Sequence, residues 1–584
     1  MKDEEGDDIE AFKLEMLLQI VLLNRDRVSV FWPQVLNYLL KLLRVCKSSN
    51  LLTERVISAV FRLTIRFSQR PDLMSDQAFI LLHRMLVTFE LEVIQKQSTA
   101  IALHSFLTHC HSYISRIEDW SVIFDLLLFI GIGFLPKRCV MKKEGSIEAI
   151  NVQSETEEDL KLRDNNVRGY TSDSEIDVHS HRLAETSKNN PYQLITGCNV
   201  GTGKGSCFKI LDVLAYEKCT EILALFIKEI LPTNVHIDKQ ADVSVASVTH
   251  MAVDTLRKFV EASVKIQSNH LRRNASENKR TSSKVKNRVR ESVSRSSSDS
   301  EDEITCKKQQ QPKLSSVTEA CALKLLDLMH FLHLNASFAS SNMTNEYLWN
   351  TIWSPVLQGI ALLCCDSRRP VRTCALTFLQ RALLNHDLRI LTAHQWENCF
   401  NKVMFPLLAK LLEPLNICDP IGMDDTRMRA TNLLCKVFLQ HLTPLLTLPT
   451  FTALWLTILD FMDKFMKAEM QTDVVKEAIP ESLKNMLLVM DTAQCLSPSL
   501  AVITWDRIAL FLPNLKDEIL PPNSVSSVAK EDKPDESVVV EEALTSVVIE
   551  SETNTTFQQS INSIQTHQQS KPSKGDYPWP APLD

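Results

Sequence analysis

From residue 11 to residue 135, large apolar side chains recur every three or four positions, the spacing of helices that bury one face. Leu14, Leu17, Leu18, Val21 and Leu22 share one such face, and Asn24, Arg25, Asp26 and Arg27 interrupt it. Leu52, Val56, Val60, Leu63 and Phe67 form another. It stops at Arg70-Pro71, because proline has no amide proton and clashes with the turn before it. Between 141 and 190 the pattern gives way to Lys, Glu, Ser, Asp and Asn, which bury too little to order a chain. Apolar periodicity resumes at about 207 and fades after 267. It returns from 317 to about 520. The predicted organisation is helical blocks at 1–140, 191–267 and 317–520, disordered linkers at 141–190 and 268–316, and a disordered tail at 521–584.

Within 355–520 a motif recurs. Asp366-Ser-Arg-Arg-Pro370-Val371-Arg372 precedes Ala375, Leu376 and Leu379, and Asp424-Asp-Thr-Arg-Met428-Arg429 precedes Leu433, Leu434 and Phe438. Each reads as a polar turn feeding a helix with an early arginine and an immediate apolar face. Helix pairs that cannot bury a face alone stack into α-solenoids of the HEAT/armadillo type. The two arginines, Arg372 and Arg429, lie 57 positions apart, beyond the ~40–47 of such repeats, so the repeats are degenerate. Composition agrees. Only 12 of the 584 residues are glycine, and β-hairpins and phosphate loops need that residue at positive φ. The predicted class is all-α: degenerate HEAT/armadillo-like solenoid blocks joined by disordered linkers.

One stretch invites a membrane test: Leu442–Leu459 carries no charge. A spanning helix needs about 20 mainly apolar residues, whereas this stretch holds Pro444 and Pro449 and meets Asp460 at once. Two buried helices around a proline-marked turn, and no transmembrane segment, are expected. The acidic Met1–Glu10 argues against a secretory or transit signal. The 15 cysteines include no C-x-x-C and read as reduced core residues. Net charge is −7, so no nucleic-acid partner is expected.

Candidate chemistry is sparse. The glycine cluster Gly197-Cys-Asn-Val-Gly201-Thr-Gly203-Lys204-Gly205-Ser206 fails the P-loop spacing: Cys198 stands five before Gly203, and Gly205 follows Lys204 where a hydroxyl belongs. It reads as a connector, and no cofactor is expected. His104, His109, Cys110 and His111 gather on one segment but lack further ligands for zinc. No G-x-S-x-G or H-E-x-x-H occurs, so no catalytic and no metal residues are assigned. Between Lys265 and Arg295 ten Lys/Arg face two Asp/Glu. Arg272, Arg273, Lys279, Arg280, Lys284, Lys286, Arg288 and Arg290 are the candidate contacts to acidic lipid. Ser172, Ser174, Ser298 and Ser300 are candidate phosphorylation sites. Ser172, Ser298 and Ser300 each have an acid three residues on, and phosphate beside the basic run would offset its charge. The apolar faces at 325–333, 403–412 and 451–465 are expected to be core.

Several long strings resemble one family. They are Leu22-Leu-Asn-Arg25-Asp-Arg-Val28, Arg168-Gly-Tyr-Thr-Ser-Asp-Ser-Glu175 and Trp353-Ser-Pro-Val-Leu-Gln-Gly-Ile-Ala-Leu-Leu-Cys-Cys-Asp366. Trp396-Glu-Asn-Cys-Phe-Asn-Lys-Val-Met-Phe-Pro-Leu-Leu408, Ala453-Leu-Trp-Leu-Thr-Ile-Leu-Asp-Phe-Met-Asp463 and Ile479-Pro-Glu-Ser-Leu-Lys-Asn-Met-Leu-Leu-Val-Met-Asp491 complete the set. The sequence is similar to the C-terminal part of the large Arf guanine-nucleotide exchange factors of the Golgi brefeldin A resistance, Gea and GNOM type. The similarity is strongest over 317–520, good over 11–70 and at 168–175, and weak between. In that family a Sec7 domain performs exchange through a glutamate finger in a motif resembling F-R-x-P-G-E. Phe61-Arg-Leu-Thr-Ile-Arg66 is the nearest string here and lacks Pro-Gly and Glu. The resemblance therefore implies the helical blocks downstream of Sec7, which recruit and regulate rather than catalyse. The implied parent activates Arf GTPases for COPI recruitment. The implied partners are Golgi or lipid-droplet membrane, Arf-pathway proteins and other domains of the parent. The implied location is cytoplasmic, peripheral to the Golgi. A stand-alone HEAT-like adaptor unrelated to Arf is the alternative.

Overall fold

The structure, a computed structural model, describes residues 2–46, 51–68, 71–135 (Ser115 excepted), 208–232, 245–267 (Ile266 excepted), 301–336, 344–413 (385–387 and Arg389 excepted), 419–468 and 473–519. Among these residues the regular structure is helical throughout, with no strand. The chain divides into two units, Met1–Leu483 and Lys484–Asp584.

The first half runs α1 (Lys2–Leu23), α2 (Val28–Val45), α3 (Leu51–Ser68), α4 (Pro71–Thr88), α5 (Leu91–Ile94), α6 (Gln97–Cys110), α7 (Ile117–Ile132), α8 (Val213–Leu225) and α9 (245–265). Then come α10 (Glu301–Leu334), α11 (Asn345–Leu348 continuing as Ser354–Leu363), α12 (Arg369–Leu384) and α13 (Ala393–Cys399 continuing as Phe405–Leu412). Next are α14 (Pro420–Gln440), α15 (Leu442–Leu446), α16 (Phe451–Lys467), α17 (Val474–Thr492), α18 (Pro498–Ala509) and α19 (Leu515–Ile519). Three of these helices are extended or interrupted by a π turn: Phe226–Ile230 after α8, Trp349–Trp353 within α11 and Phe400–Met404 within α13. Each turn widens the helix where it buries an aromatic ring, Phe226, Trp349 or Phe400.

Helix starts follow from local chemistry. Asp212 caps α8 by accepting from the amides of Leu214 and Ala215. Thr392 and Gln395 form a reciprocal capping box at α13, and Asp419 accepts from Gly422 ahead of α14. At the end of α7, Gly133 turns left-handed at φ 67° so that the last carbonyls are met. A side chain there would also strike the Lys209 carbonyl.

In the first unit the helices stack in two rows. α1, α3, α6, α8, α10, α12 and α14 each pack on the next member of their row. The second row runs α2, α4 and α7, and later α11, α13 and α16. Phe259 of α9 packs against Gly131 of α7, which extends the first part of that row. Successive pairs thus bury faces that no pair covers alone, as the amphipathic spacing requires. The face predicted on α3 is buried in full: Leu52, Val56, Val60, Leu63 and Phe67 are each 3% exposed or less. The predicted stripe Phe451, Leu454, Trp455, Ile458, Phe461 and Phe465 is buried as well, so α16 is core. Leu442–Leu459 resolves into α15, a turn and the start of α16, and among the described residues no helix is long and apolar enough to cross a membrane.

The ladder passes without a break from the first helices to those after 208. Lys209 donates its amide to the carbonyl of Ile132 at 3.1 Å. Gln95 is buried and bridges both sides, donating to the Gly131 and Lys209 carbonyls and accepting from the amide of Leu211 at 2.7 Å. Phe134 lies against Phe208, centroids 5.9 Å apart. In the second unit, Ser497 caps α18, and the Lys516 ammonium of α19 lies 6.0 Å from the Trp505 ring of α18.

α10 begins at Glu301, within the stretch 268–316 expected as a linker, and a second boundary differs from the sequence reading as well. Asp424 and Asp425 were expected in a turn ahead of a helix, but α14 begins at Pro420 and carries them inside its second turn. Asp419-Pro420 supplies both a cap and a preset φ, which outweighs the acidic pair as a start signal.

Candidate functional site

The densest buried polar cluster lies where α11 hands over to α12. Asp366 accepts the Arg368 amide at 2.9 Å, tightening the turn, and receives the Arg368 guanidinium in a two-pronged bond of 2.8 and 2.7 Å. The same guanidinium donates to the Thr318 carbonyl of α10 at 2.7 Å and to Ser263 Oγ of α9 at 3.2 Å. Arg368 and Asp366 side chains are 4% and 1% exposed.

One turn on, the Arg372 side chain is fully buried. Its Nη1 donates to the carbonyls of Asp366 and Ser367 at 3.0 and 2.9 Å. Its Nη2 reaches Asp419 Oδ2 at 2.9 Å, and its Nε meets Thr426 Oγ1 at 3.3 Å. Thus Arg368 ties the turn backward to α9 and α10, and Arg372 ties α12 forward to α14. In α14, Arg427 pairs with buried Asp424 at 2.8 Å and donates to the Leu411 carbonyl of α13 at 2.9 Å. Arg429 reaches Thr377 of α12 at 3.2 Å. The Gly422 amide and then Arg372 hold the Asp419 carboxyl below its ordinary value.

This geometry settles what the cluster can do. A ligand-binding arginine needs free donors facing solvent, yet each nitrogen of the Arg368 and Arg372 forks already donates to protein. The cluster is a clamp that ties α12 to α9, α10 and α14. Of the two recurring motifs, Arg372 takes the clamp position, and in the second motif Arg427 rather than Arg429 makes the buried ion pair. The Asp-x-Arg spacing of Asp366 and Arg368 was the sequence signal for the clamp, and the motif reading passed over it.

The histidine group resolves differently from a metal site. His109 and His111 direct Nδ1 at their own helix, to the Ser105 carbonyl at 2.7 Å and the Leu107 carbonyl at 3.0 Å. Cys110 is buried. Among the described residues no three His, Cys, Asp or Glu side chains are placed to hold a metal. Burial raises the Cys110 thiol to about 11 and the Cys399 and Cys435 thiols to about 12, so they stay protonated and unreactive. An open cavity between α10 and α12 is lined by His330, Leu334, Gln380, Arg381 and Leu384. His330 stacks on Phe378 at 4.3 Å, and burial followed by Arg381 keeps its imidazole neutral by lowering its pKa.

Phe61 and Arg62, of the string nearest a Sec7 glutamate-finger motif, sit inside α3; Phe61 is buried and Arg62 pairs with Glu15 of α1 at 3.0 Å. The candidate phosphorylation sites Ser172, Ser174, Ser298 and Ser300 lie outside the described residues, as does the Gly197–Ser206 cluster. So do the candidate lipid contacts Arg272, Arg273, Lys279, Arg280, Lys284, Lys286, Arg288 and Arg290.

Residues 353–515, which contain the clamp's arginines and acids from Asp366 to Arg429, match the family described as "GBF1-like, tetratrico peptide repeat region". The chain is 28% identical to the Golgi-specific brefeldin A-resistance guanine nucleotide exchange factor 1 homolog of Caenorhabditis elegans, over 91% of this chain and 31% of the relative. It is 35% identical to the ARF guanine-nucleotide exchange factor GNOM of Arabidopsis thaliana, over 36% of this chain and 16% of the relative. The Arabidopsis thaliana factor GNL1 is 30% identical over 32% of this chain and 14% of its own length. The chain therefore spans about a third or less of the relatives it matches. No solved structure matches it. By this kinship and by its helical ladder, the chain is similar to a helical region of the Golgi brefeldin A resistance and GNOM-type Arf guanine-nucleotide exchange factors.

Proposed function

We propose that this chain is a regulatory and membrane-recruiting region of an Arf guanine-nucleotide exchange factor, downstream of its Sec7 domain, and that it does not itself catalyse exchange. The parent activates Arf for COPI recruitment in Golgi traffic, and this region brings it to the membrane and restrains or licenses it there. The observation that carries the reading is the extent of kinship: a Golgi-specific brefeldin A resistance homolog aligns along 91% of the chain. The saturated clamp supports a scaffold, because its buried charges hold helices together instead of facing a substrate.

The membrane contact falls to the basic run, since about 1 kcal/mol of attraction per Lys or Arg accrues near an anionic surface. Purified 1–584 is expected to float with liposomes containing anionic lipid. Deleting 268–316, or changing Arg272, Arg273, Lys279, Arg280, Lys284, Lys286, Arg288 and Arg290 to Gln, should abolish flotation at physiological salt. Undiminished flotation of the neutralised variant would move the contact elsewhere, and no flotation of the intact chain would remove the membrane role.

A further inference from the structure

α10 and α12 lie side by side and run in the same sense. Near the start of α12, Arg368 ties them by donating to the Thr318 carbonyl at 2.7 Å. Three turns on, His330 stacks on Phe378 with centroids 4.3 Å apart. Beside that stack the two helices leave an open trough of about 470 Å³, lined by His330, Leu334, Gln380, Arg381 and Leu384. The volume falls among ligand-sized pockets.

Charge is matched on one flank of α10 and unmatched on the other. Toward α8 and the π turn that follows it, Lys324 meets Glu221 at 3.3 Å and Asp327 meets Lys228 at 2.6 Å. Toward α12, Arg381 is exposed and forms no ion pair among the described residues. Asp327, the acid of α10 in this region, is already taken by Lys228. His330 Nδ1 is buried and has no hydrogen-bond partner, which is uncommon for a buried polar atom. A neutral imidazole keeps one N–H, so a carboxylate laid in the trough can accept from His330 with one oxygen and from the Arg381 guanidinium with the other. The apolar wall stands one turn further along each helix, at Leu334 and Leu384, and Leu334 is 50% exposed. One helical turn is about 5.4 Å. An occupant therefore needs an acid and a large apolar group about that far apart, the spacing of side chains three or four positions apart on a helix.

We propose that the trough between α10 and α12 is a docking site for a helical segment of a partner polypeptide, whose Asp or Glu meets Arg381 and His330 and whose Leu, Ile or Phe, three or four positions on, seats against Leu334 and Leu384. A small molecule would stay largely in water here, because the trough is open along one side. An anionic membrane surface is held by clusters of Lys and Arg, whereas this site offers one solvent-facing cation in a concave, half-apolar setting. The site is independent of the membrane reading above.

Random 12-residue peptides displayed on phage and selected on the full 1–584 chain test it, with enriched sequences synthesised and their Kd measured by fluorescence anisotropy. The enriched peptides are expected to carry Asp or Glu three or four positions from Leu, Ile or Phe. Arg381→Glu should weaken them roughly tenfold or more, and peptides with Lys in place of the acid should bind Arg381→Glu better than they bind the unmodified chain. Leu334→Lys, at a second exposed position, should weaken the same peptides. An unchanged thermal midpoint verifies that each variant is folded. Selection without such acid–apolar pairs overturns the proposal, as does equal affinity for the unmodified chain and Arg381→Glu. Loss of flotation with anionic vesicles in Arg381→Glu, with no peptide bound by the unmodified chain, also overturns it and gives the trough to a lipid headgroup.

Discussion

Arg372 is the side chain on which the repeat geometry turns. Its four acceptors come from the turn between α11 and α12 and from α14 with its cap residue Asp419. The Asp419 carboxylate is 28% exposed and partly solvated, so the cost of removing Arg372 comes mainly from the buried acceptors it leaves unmet, about 1–3 kcal/mol. Arg372→Leu is therefore expected to lower stability by that amount in denaturant unfolding, whereas Arg369→Leu, on an exposed side chain 3.9 Å from the same carboxylate, should cost under ~1 kcal/mol. The acid side of the curve identifies Asp419. Its folded pKa lies below its ordinary 3.8, so its contribution is complete above that pH and is lost as pH falls through the folded value. Asp419→Asn should show less stability at neutral pH and a smaller further loss below pH ~4 than the unmodified chain. Equal acid slopes would show that Asp419 is not the titrating partner.

At the scale of elements, close approach decides which positions tolerate change. Gly131 of α7 meets Phe259 of α9, where an added methyl would stand 2.4 Å from the ring edge and 3.0 Å from Cys219 Cβ of α8. Overpacking of that kind costs about 1–3 kcal/mol, more than the ~1 kcal/mol that alanine gains as a helix former. Gly131→Ala is expected to lower the thermal midpoint; a raised midpoint would mean that α7 and α9 are looser than described. The same scale shows what the sequence made legible. Helix existence was readable wherever one apolar face recurred, as in α3 and α16, because the period survives without tertiary information. The clamp was visible only as two arginine-bearing motifs. Which arginine is buried depends on contacts between distant positions, such as Thr318 and Arg368 fifty apart, and periodicity carries nothing about that. The start of α14 was misplaced because an acidic pair resembles a turn, while Asp419-Pro420 supplied the actual cap.

At the scale of the molecule, the ladder in Met1–Leu483 joins segments that composition separates. Polarity divides the chain into expected blocks and linkers but carries nothing about docking between blocks, since Gln95 and Lys209 meet across 114 positions. That contact has a consequence. Residues 135 and 208 leave and re-enter the ladder beside each other, held by the Lys209–Ile132 bond and the Phe134–Phe208 contact. A shortened connection between such near ends changes closure entropy by only about 1 kcal/mol or less. Deleting 141–190 should leave helical circular dichroism and the thermal midpoint nearly unchanged, and a large loss would mean that those residues belong to the folded ladder.

The central claim is that this region carries an address for Golgi membranes without carrying exchange chemistry. Imaging the tagged 1–584 chain in cells tests it most directly. The account predicts a perinuclear signal coincident with Golgi markers, which disperses when the eight basic residues of 272–290 are changed to Gln. A diffuse signal from the intact chain would contradict it, and the ladder would then be a scaffold for protein partners whose address lies elsewhere in the parent.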